Sequence, residues 1–267
     1  ISLMSTIGIL GCGWLGVPLG KHLQQLDYTV KGSRTSESGV VELQKKGIEG
    51  YRVVLEEDQA LGLDPFLDQV DTLLISLPPK RPTSEVGYVR KIQLLLDASA
   101  SYPIQRILFL SSTSVYGSRG NSYDETSPVV PETFSAKALV SSEQLLDEYP
   151  IPSVIVRLGG LIGADRNPIY YLQGKTIPNP KGKINFIHQE DAVRGVATLV
   201  SHSELQGIFN LVAPHHPLRE DYYLHMAQKV NLPVPEFNNE EARVRIIKGD
   251  KICRKTPFHY SVDNLLI

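Results

Sequence analysis

Gly11-Cys12-Gly13-Trp14-Leu15-Gly16 closes one apolar run and opens another, and no other stretch of the chain restricts the fold so tightly. Ahead of it, Thr6 to Leu10 reads as a short strand. Behind it, residues 14–26 carry Leu15, Leu19, Leu23 and Leu26 at helical spacing. In such a turn Gly11 lets the chain reverse tightly, Gly13 presents bare backbone, and Gly16 lets the helix lie close to the strand. Backbone N–H groups near Trp14 and Leu15 then face outward with the positive end of the helix dipole behind them. A pyrophosphate fits that corner. A turn rich in glycine for packing alone is the competing reading. The spacing within a strand–turn–helix context favours a dinucleotide site.

The same alternation continues along the chain. Strands are predicted at residues 28–31, 51–55, 71–77, 106–110, 153–158 and 207–212, with a last candidate at 243–247. Helices are predicted at 41–46, 86–100, 191–200 and 220–230, and another within 131–149 starting near Thr133. The Pro78-Pro79 pair stops the fourth strand. Strand and helix in this order predict an α/β fold, a doubly wound parallel sheet of the Rossmann type, with ligands at the carboxyl ends of the strands. Residues 4–165 are assigned to this dinucleotide-binding domain, with 186–212 returning to it. Residues 166–185 and 213–267 form a small C-terminal substrate lobe.

Bulk composition narrows the function. In 267 residues, 42% are hydrophobic and 21% charged, which suits a globular protein and not a disordered one. The formal charge of −2 lacks the basic balance of a nucleic-acid binder, and no apolar run is long enough to span a membrane. Two cysteines, Cys12 inside the glycine turn and Cys253, make a poor disulfide pair and point to a reduced, cytoplasmic setting. The first residues show no leader pattern, and Met4 is a candidate start. No Cys/His/acid spacing indicates a metal, including at the adjacent His215 and His216.

The end of the second strand selects the cofactor. NAD proteins place an acid there, about 20 residues past the glycines, for the ribose 2′-hydroxyl. This chain has Lys31-Gly32-Ser33-Arg34-Thr35, and its first acid is Glu37. Ser33, Arg34 and Thr35 suit a 2′-phosphate, so NADP(H) is the expected cofactor; a solvated loop charge is the bland reading of Arg34. Leu77 and Pro78 end the fourth strand and are expected along the same crevice.

With the glycine turn and the run Ser-Ser-Thr-Ser-Val-Tyr-Gly at 111–117, the chain resembles the extended short-chain dehydrogenase/reductase family, which includes nucleotide-sugar epimerases and dehydratases. Residues 157–163, 185–193 and 207–211 add to the likeness, in order, over almost the whole chain. The resemblance implies a catalytic serine, tyrosine and lysine. It places Ser112 at the serine position, four residues before Tyr116. The family's Tyr-x-x-x-Lys is where this chain departs. Counting back from Lys137 gives Thr133, while aligning on Glu143 gives Ser135, with Leu139 in the lysine slot. Neither register has a tyrosine. The one Tyr-x-x-x-Lys, Tyr171 to Lys175, lies in the substrate-side segment and reads as a coincidence of spacing.

The candidate catalytic set is therefore Ser112 to polarise a substrate oxygen, Tyr116 as a non-standard acid, and Lys137 near the nicotinamide ribose. Each has a structural alternative: a strand-end hydroxyl, a packed ring and a solvated lysine. His188 and Asp191 read as a structural pair at the start of the late helix. The resemblance implies an NAD(P)-dependent oxidoreductase or epimerase on a hydroxyl- or keto-bearing small molecule or nucleotide sugar. The missing tyrosine favours the alternative, an NADPH-binding sensor or regulatory module. The lobe is short, so a sugar-nucleotide pocket is expected to be reduced or shared across a homodimer.

Overall fold

In the computed structural model, which describes residues 5–80 and 84–266, seven strands form one parallel sheet. They are β1 (Thr6–Leu10), β2 (Thr29–Arg34), β3 (Glu49–Arg52), β4 (Thr72–Ile75), β5 (Arg106–Ser112), β6 (Ser153–Leu158) and β7 (Gly207–Leu211). Their order across the sheet is β7-β6-β5-β4-β1-β2-β3. The order reverses at β1, where the chain crosses from β3 back to β4, so a crevice opens beyond the carboxyl end of β1. Met4, where the sequence-based domain begins, lies outside the described residues.

Nine helices are described: α1 (Gly16–Gln25), α2 (Glu37–Lys45), α3 (Leu63–Leu67), α4 (Glu85–Ser99), α5 (Phe134–Asp147), α6 (Ile169–Leu172), α7 (Gln189–Ser201), α8 (Arg219–Lys229) and α9 (Lys251–Lys255). The chain divides into two compact units. The first comprises Ile1–Ser111, Pro131–Val156 and Val193–Ile208; the second comprises Ser112–Val130, Arg157–Ala192 and Phe209–Ile267. Residues 112–130, 157–165, 186–192 and 209–212 thus group with the second unit, whereas the sequence assigns them to the first.

The first unit's core follows from strands covered on both faces. Ile7, Ile9, Leu74, Ile75, Leu108 and Phe109 are fully buried or nearly so, beneath Leu19, Leu23, Leu43, Ile92 and Leu95 from the helices. Leu26, expected on the buried face of α1, is 45% exposed because the helix ends at Gln25 and Asp27 turns the chain with φ 63°. In the second unit, Ile162, Ile169, Ile177, Ile184, Tyr222 and Leu265 form a separate apolar cluster.

Two strand expectations need correction. Residues 51–55 do not form one strand: β3 ends at Arg52, and Val54–Leu55 pairs antiparallel with Ala60–Leu61. Of residues 243–247, only Ile246–Ile247 is a strand, parallel to Ser122–Tyr123.

Candidate dinucleotide site

The glycine turn is built by β1, β2 and β4 together. Gly11 has φ +84°, and a Cβ there would lie 2.4 Å from the Ser76 carbonyl oxygen just past β4. No side chain fits, so the corner must be glycine. The Gly11 N–H donates to the Ser33 hydroxyl (2.9 Å) and the Cys12 N–H to the Ser33 carbonyl (3.0 Å), which fasten the turn to β2. A Cβ on Gly16 would sit 3.3 Å from the Ile9 side chain, the close helix–strand approach anticipated from the spacing. Gly13 differs: the nearest atoms to a Cβ there are Arg34 Nη1 and Gly11 O, both at 3.9 Å, so its outer side is open. Helix α1 begins here with Leu15 at its N-cap, no side-chain cap and no acid in the first turn. Its positive end is thus not neutralised by a carboxylate of its own.

Arg34 closes β2 beside this turn. Its Nε is buried with no hydrogen-bond partner among the described residues. A buried donor left unpaired costs about 1–3 kcal/mol, and more when it belongs to a charged group. The arginine's Nη1 is the atom nearest the open side of Gly13, 3.9 Å from where a Cβ would stand. Burial pushes the nearby Cys12 thiol up to about 12, against the pull of Arg34 and Lys46. Cys12 is therefore a packed thiol and not a nucleophile.

The neighbouring expectations divide. Ser33 is only 2% exposed and its hydroxyl already serves the Gly11 N–H. It fastens the turn and is not a direct phosphate ligand, which corrects the sequence reading. Thr35 is exposed, and its carbonyl accepts from Arg52 Nε (3.3 Å). Leu77 borders the turn, its Cδ2 being 3.1 Å from where a Gly11 Cβ would stand. The Leu77 carbonyl accepts from the Tyr88 hydroxyl (2.5 Å), which fixes the chain after β4. Pro78 is exposed.

The candidate catalytic residues do not form a relay. Ser112, in the second unit, uses its hydroxyl to accept from the Ser114 N–H (3.1 Å) and so caps the short turn Thr113–Tyr116. Tyr116 has no exposed surface. Its hydroxyl donates to Asn210 Oδ1 (2.8 Å) and accepts from Arg157 Nη1 (3.0 Å), while the Arg157 guanidinium lies 4.9 Å from the ring centre. Burial is the main influence on its phenol and raises its pKa, with Arg157 and Asn210 opposing. A fully buried phenol with both partners filled cannot meet a substrate, so Tyr116 is withdrawn as the acid.

In the first unit, Lys137 is exposed on α5 and Thr133 caps that helix by accepting from the Ala136 N–H (3.1 Å). Glu143, 5% exposed, accepts from the Ser111 hydroxyl (2.5 Å) at the end of β5. Residues four apart share a helix face, so Ser135, Leu139 and Glu143 line up toward the sheet. Leu139 on that face is 4% exposed.

Other singled-out residues are structural. The fully buried Asp191 carboxylate accepts from the Ser261 N–H, the Ser261 hydroxyl and the Val262 N–H, and so fastens the late segment of the second unit. His215 Nδ1 accepts from the Leu265 N–H (3.0 Å). His216 Nδ1 bonds the Ile184 carbonyl (3.0 Å), and burial lowers its pKa. Tyr171 is 72% exposed. Among the described residues no group of three or more His, Cys, Asp and Glu could hold a metal. No described helix is long and apolar enough to cross a membrane.

Sequence reasoning missed Arg106. It is 5% exposed, and its guanidinium donates to the carbonyls of Leu199, Val200 and Leu205. An arginine at the start of an otherwise apolar strand was the available signal.

A glycine corner at the switch point of a 3-2-1-4-5-6-7 sheet defines a doubly wound fold of the Rossmann type. No family model matches the chain. Protein YeeZ of Escherichia coli K12 is 36% identical over 272 aligned residues, covering 99% of this chain and 98% of that one. A functionally unknown conserved protein from Silicibacter pomeroyi has a solved structure with TM-score 0.80 at 22% identity, covering 98% of this chain and 96% of that one. A UDP-glucuronic acid 4-epimerase from Bacillus cereus, solved in complex with NAD, gives TM-score 0.78 at 16% identity, over 98% and 94% of the two chains. The chain belongs to the family of Protein YeeZ.

Proposed function

We propose that this protein binds NADP(H) and reads its presence, as a sensor or regulatory module, without the tyrosine–lysine proton relay that the sequence resemblance implies. One observation supports the cofactor part of the reading: Arg34, where NAD proteins place an acid, holds its Nη1 3.9 Å from the open side of Gly13. The residues present fit a dinucleotide. Gly11, Gly13 and the start of α1 at Trp14, Leu15 and Gly16 would take the pyrophosphate. Arg34, with Thr35 beside it, would take the 2′-phosphate, and Leu77 and Pro78 would border the cofactor. Ser33 acts behind them by holding the turn. The bound nicotinamide would supply hydride transfer, for which a partner acid or base must move the proton. The reading is supported by the enclosed Tyr116 and by Ser112, whose hydroxyl caps a turn.

A second reading is an oxidoreductase or epimerase acting on a hydroxyl- or keto-bearing small molecule, with a nucleotide sugar as the favoured class and a homodimer completing its pocket. It draws on the Bacillus cereus epimerase, whose fold this chain shares. Ser112 and Lys137 would be its remaining polar candidates. The two readings separate in one experiment. The protein is titrated with NADPH, then incubated with NADPH or NADP and panels of carbonyl compounds and UDP-sugars while nicotinamide absorbance and sugar products are followed. Tight binding with no turnover supports the sensor. Substrate-dependent oxidation, reduction or epimerisation overturns it in favour of the second.

A further inference from the structure

Helix α2 presses its first turn against the stem of Arg34. Ser36 caps the helix by accepting from the Gly39 N–H (3.1 Å), which sets Gly39 directly over that stem. A Cβ on Gly39 would lie 2.9 Å from Arg34 Cβ and 3.0 Å from Arg34 Cγ, with Ser36 Oγ at 3.1 Å. These are the near atoms of the arginine, not its flexible end. Room for a methyl group comes only by displacing Arg34 Cβ together with its backbone, which carries Cγ and the rest of the side chain with it. A shift of a few tenths of an ångström at Cγ is magnified at the guanidinium, which sits at the end of the lever beside Gly13.

We propose that Gly39 is a positioning residue for cofactor selection: its missing side chain lets α2 clamp Arg34 where it discriminates the phosphorylated dinucleotide from the unphosphorylated one. The inference rests on the reading of Arg34 as the 2′-phosphate ligand. It adds that the selectivity depends on a residue that touches neither cofactor nor substrate. Gly39 is in the first turn of a regular helix and has no left-handed φ, so alanine suits its backbone. A purely structural role predicts a loss of thermal stability on Gly39→Ala, from the contact with Arg34 Cβ, and no change in cofactor preference.

The test is a double-mutant cycle on the full chain with wild type, Gly39→Ala, Arg34→Ala and the double variant. Calorimetry reads the ratio of NADPH to NADH affinity for each, with thermal unfolding alongside. That ratio is insensitive to a partly unfolded sample, which lowers both apparent affinities alike. Gly39→Ala is expected to lower the ratio about tenfold, the scale of one charge-assisted hydrogen bond, with NADH affinity unchanged. In the Arg34→Ala background it should cause no additional change. A wild-type ratio in Gly39→Ala, or an equal added loss in the Arg34→Ala background, overturns the positioning role. A wild-type ratio in Arg34→Ala overturns the 2′-phosphate reading itself, and with it this one.

Discussion

Two glycines two residues apart should respond to the same methyl group in opposite ways. Gly11→Ala forces a Cβ to 2.4 Å from the Ser76 carbonyl oxygen and holds alanine at φ +84°. The left-handed conformation costs alanine about 1–2 kcal/mol. The overlap with backbone, which cannot rotate away, adds about 1–3 kcal/mol. Together they amount to about 2–5 kcal/mol, or a fall of roughly 5–15 °C in Tm for a chain of this size. Any relaxation must pull Gly11 from β4 and loosen its N–H bond to Ser33. Gly13→Ala meets nothing within 3.9 Å and has no left-handed φ, so stability should change by about 0.5 kcal/mol or less. Its methyl would instead stand where a phosphate approaches, and NADPH affinity should fall about tenfold or more. Thermal melts and calorimetry on both variants check the contrast. Equal melting temperatures for Gly11→Ala and wild type, or unaltered NADPH binding by Gly13→Ala, would refute this account of the turn.

Three other outcomes are expected. Arg106→Met strands three carbonyls of Leu199, Val200 and Leu205 and should cost about 3 kcal/mol, seen as a lower urea midpoint; a midpoint within error of wild type rejects the capping role. Tyr116→Phe removes hydroxyl bonds to Asn210 and Arg157 and should cost about 1–2 kcal/mol while leaving NADPH affinity unchanged; a tenfold loss of affinity would mean the phenol reaches the cofactor. Stability should fall as pH rises above 9, because unfolding lets Cys12 ionise near 9.0 instead of about 12, and burial likewise raises Tyr88, Tyr222 and Tyr260. The unfolded chain binds fewer protons in that window, so the sign is destabilising. A Tm that holds constant or climbs from pH 9 to 12 contradicts the burial of these groups.

The sheet was legible where strands are apolar and long. Ser153–Leu158 was read to the residue, and Thr133 as the start of α5 follows from its cap. Pairs of two or three residues, such as Gly160–Leu161–Ile162 with Phe186–Ile187–His188, were not, because they exist only through distant partners. Within the site, spacing gave the glycine corner and the charge at Arg34. The use of each hydroxyl was hidden. Ser33 and Gly11 are 22 residues apart, and Tyr116 and Asn210 are 94 apart, so only the fold shows that these groups satisfy each other. Gly39 was invisible for the same reason: its importance lies in the arginine beneath it.

The central claim is that Arg34 reads a phosphate on the adenosine ribose. Its direct test is calorimetric titration of wild type and Arg34→Ala with NADPH and with NADH. The account predicts that wild type prefers NADPH by about tenfold or more and that the variant loses this preference while keeping its affinity for NADH. Equal binding of both dinucleotides by wild type, or no binding of either, would contradict it.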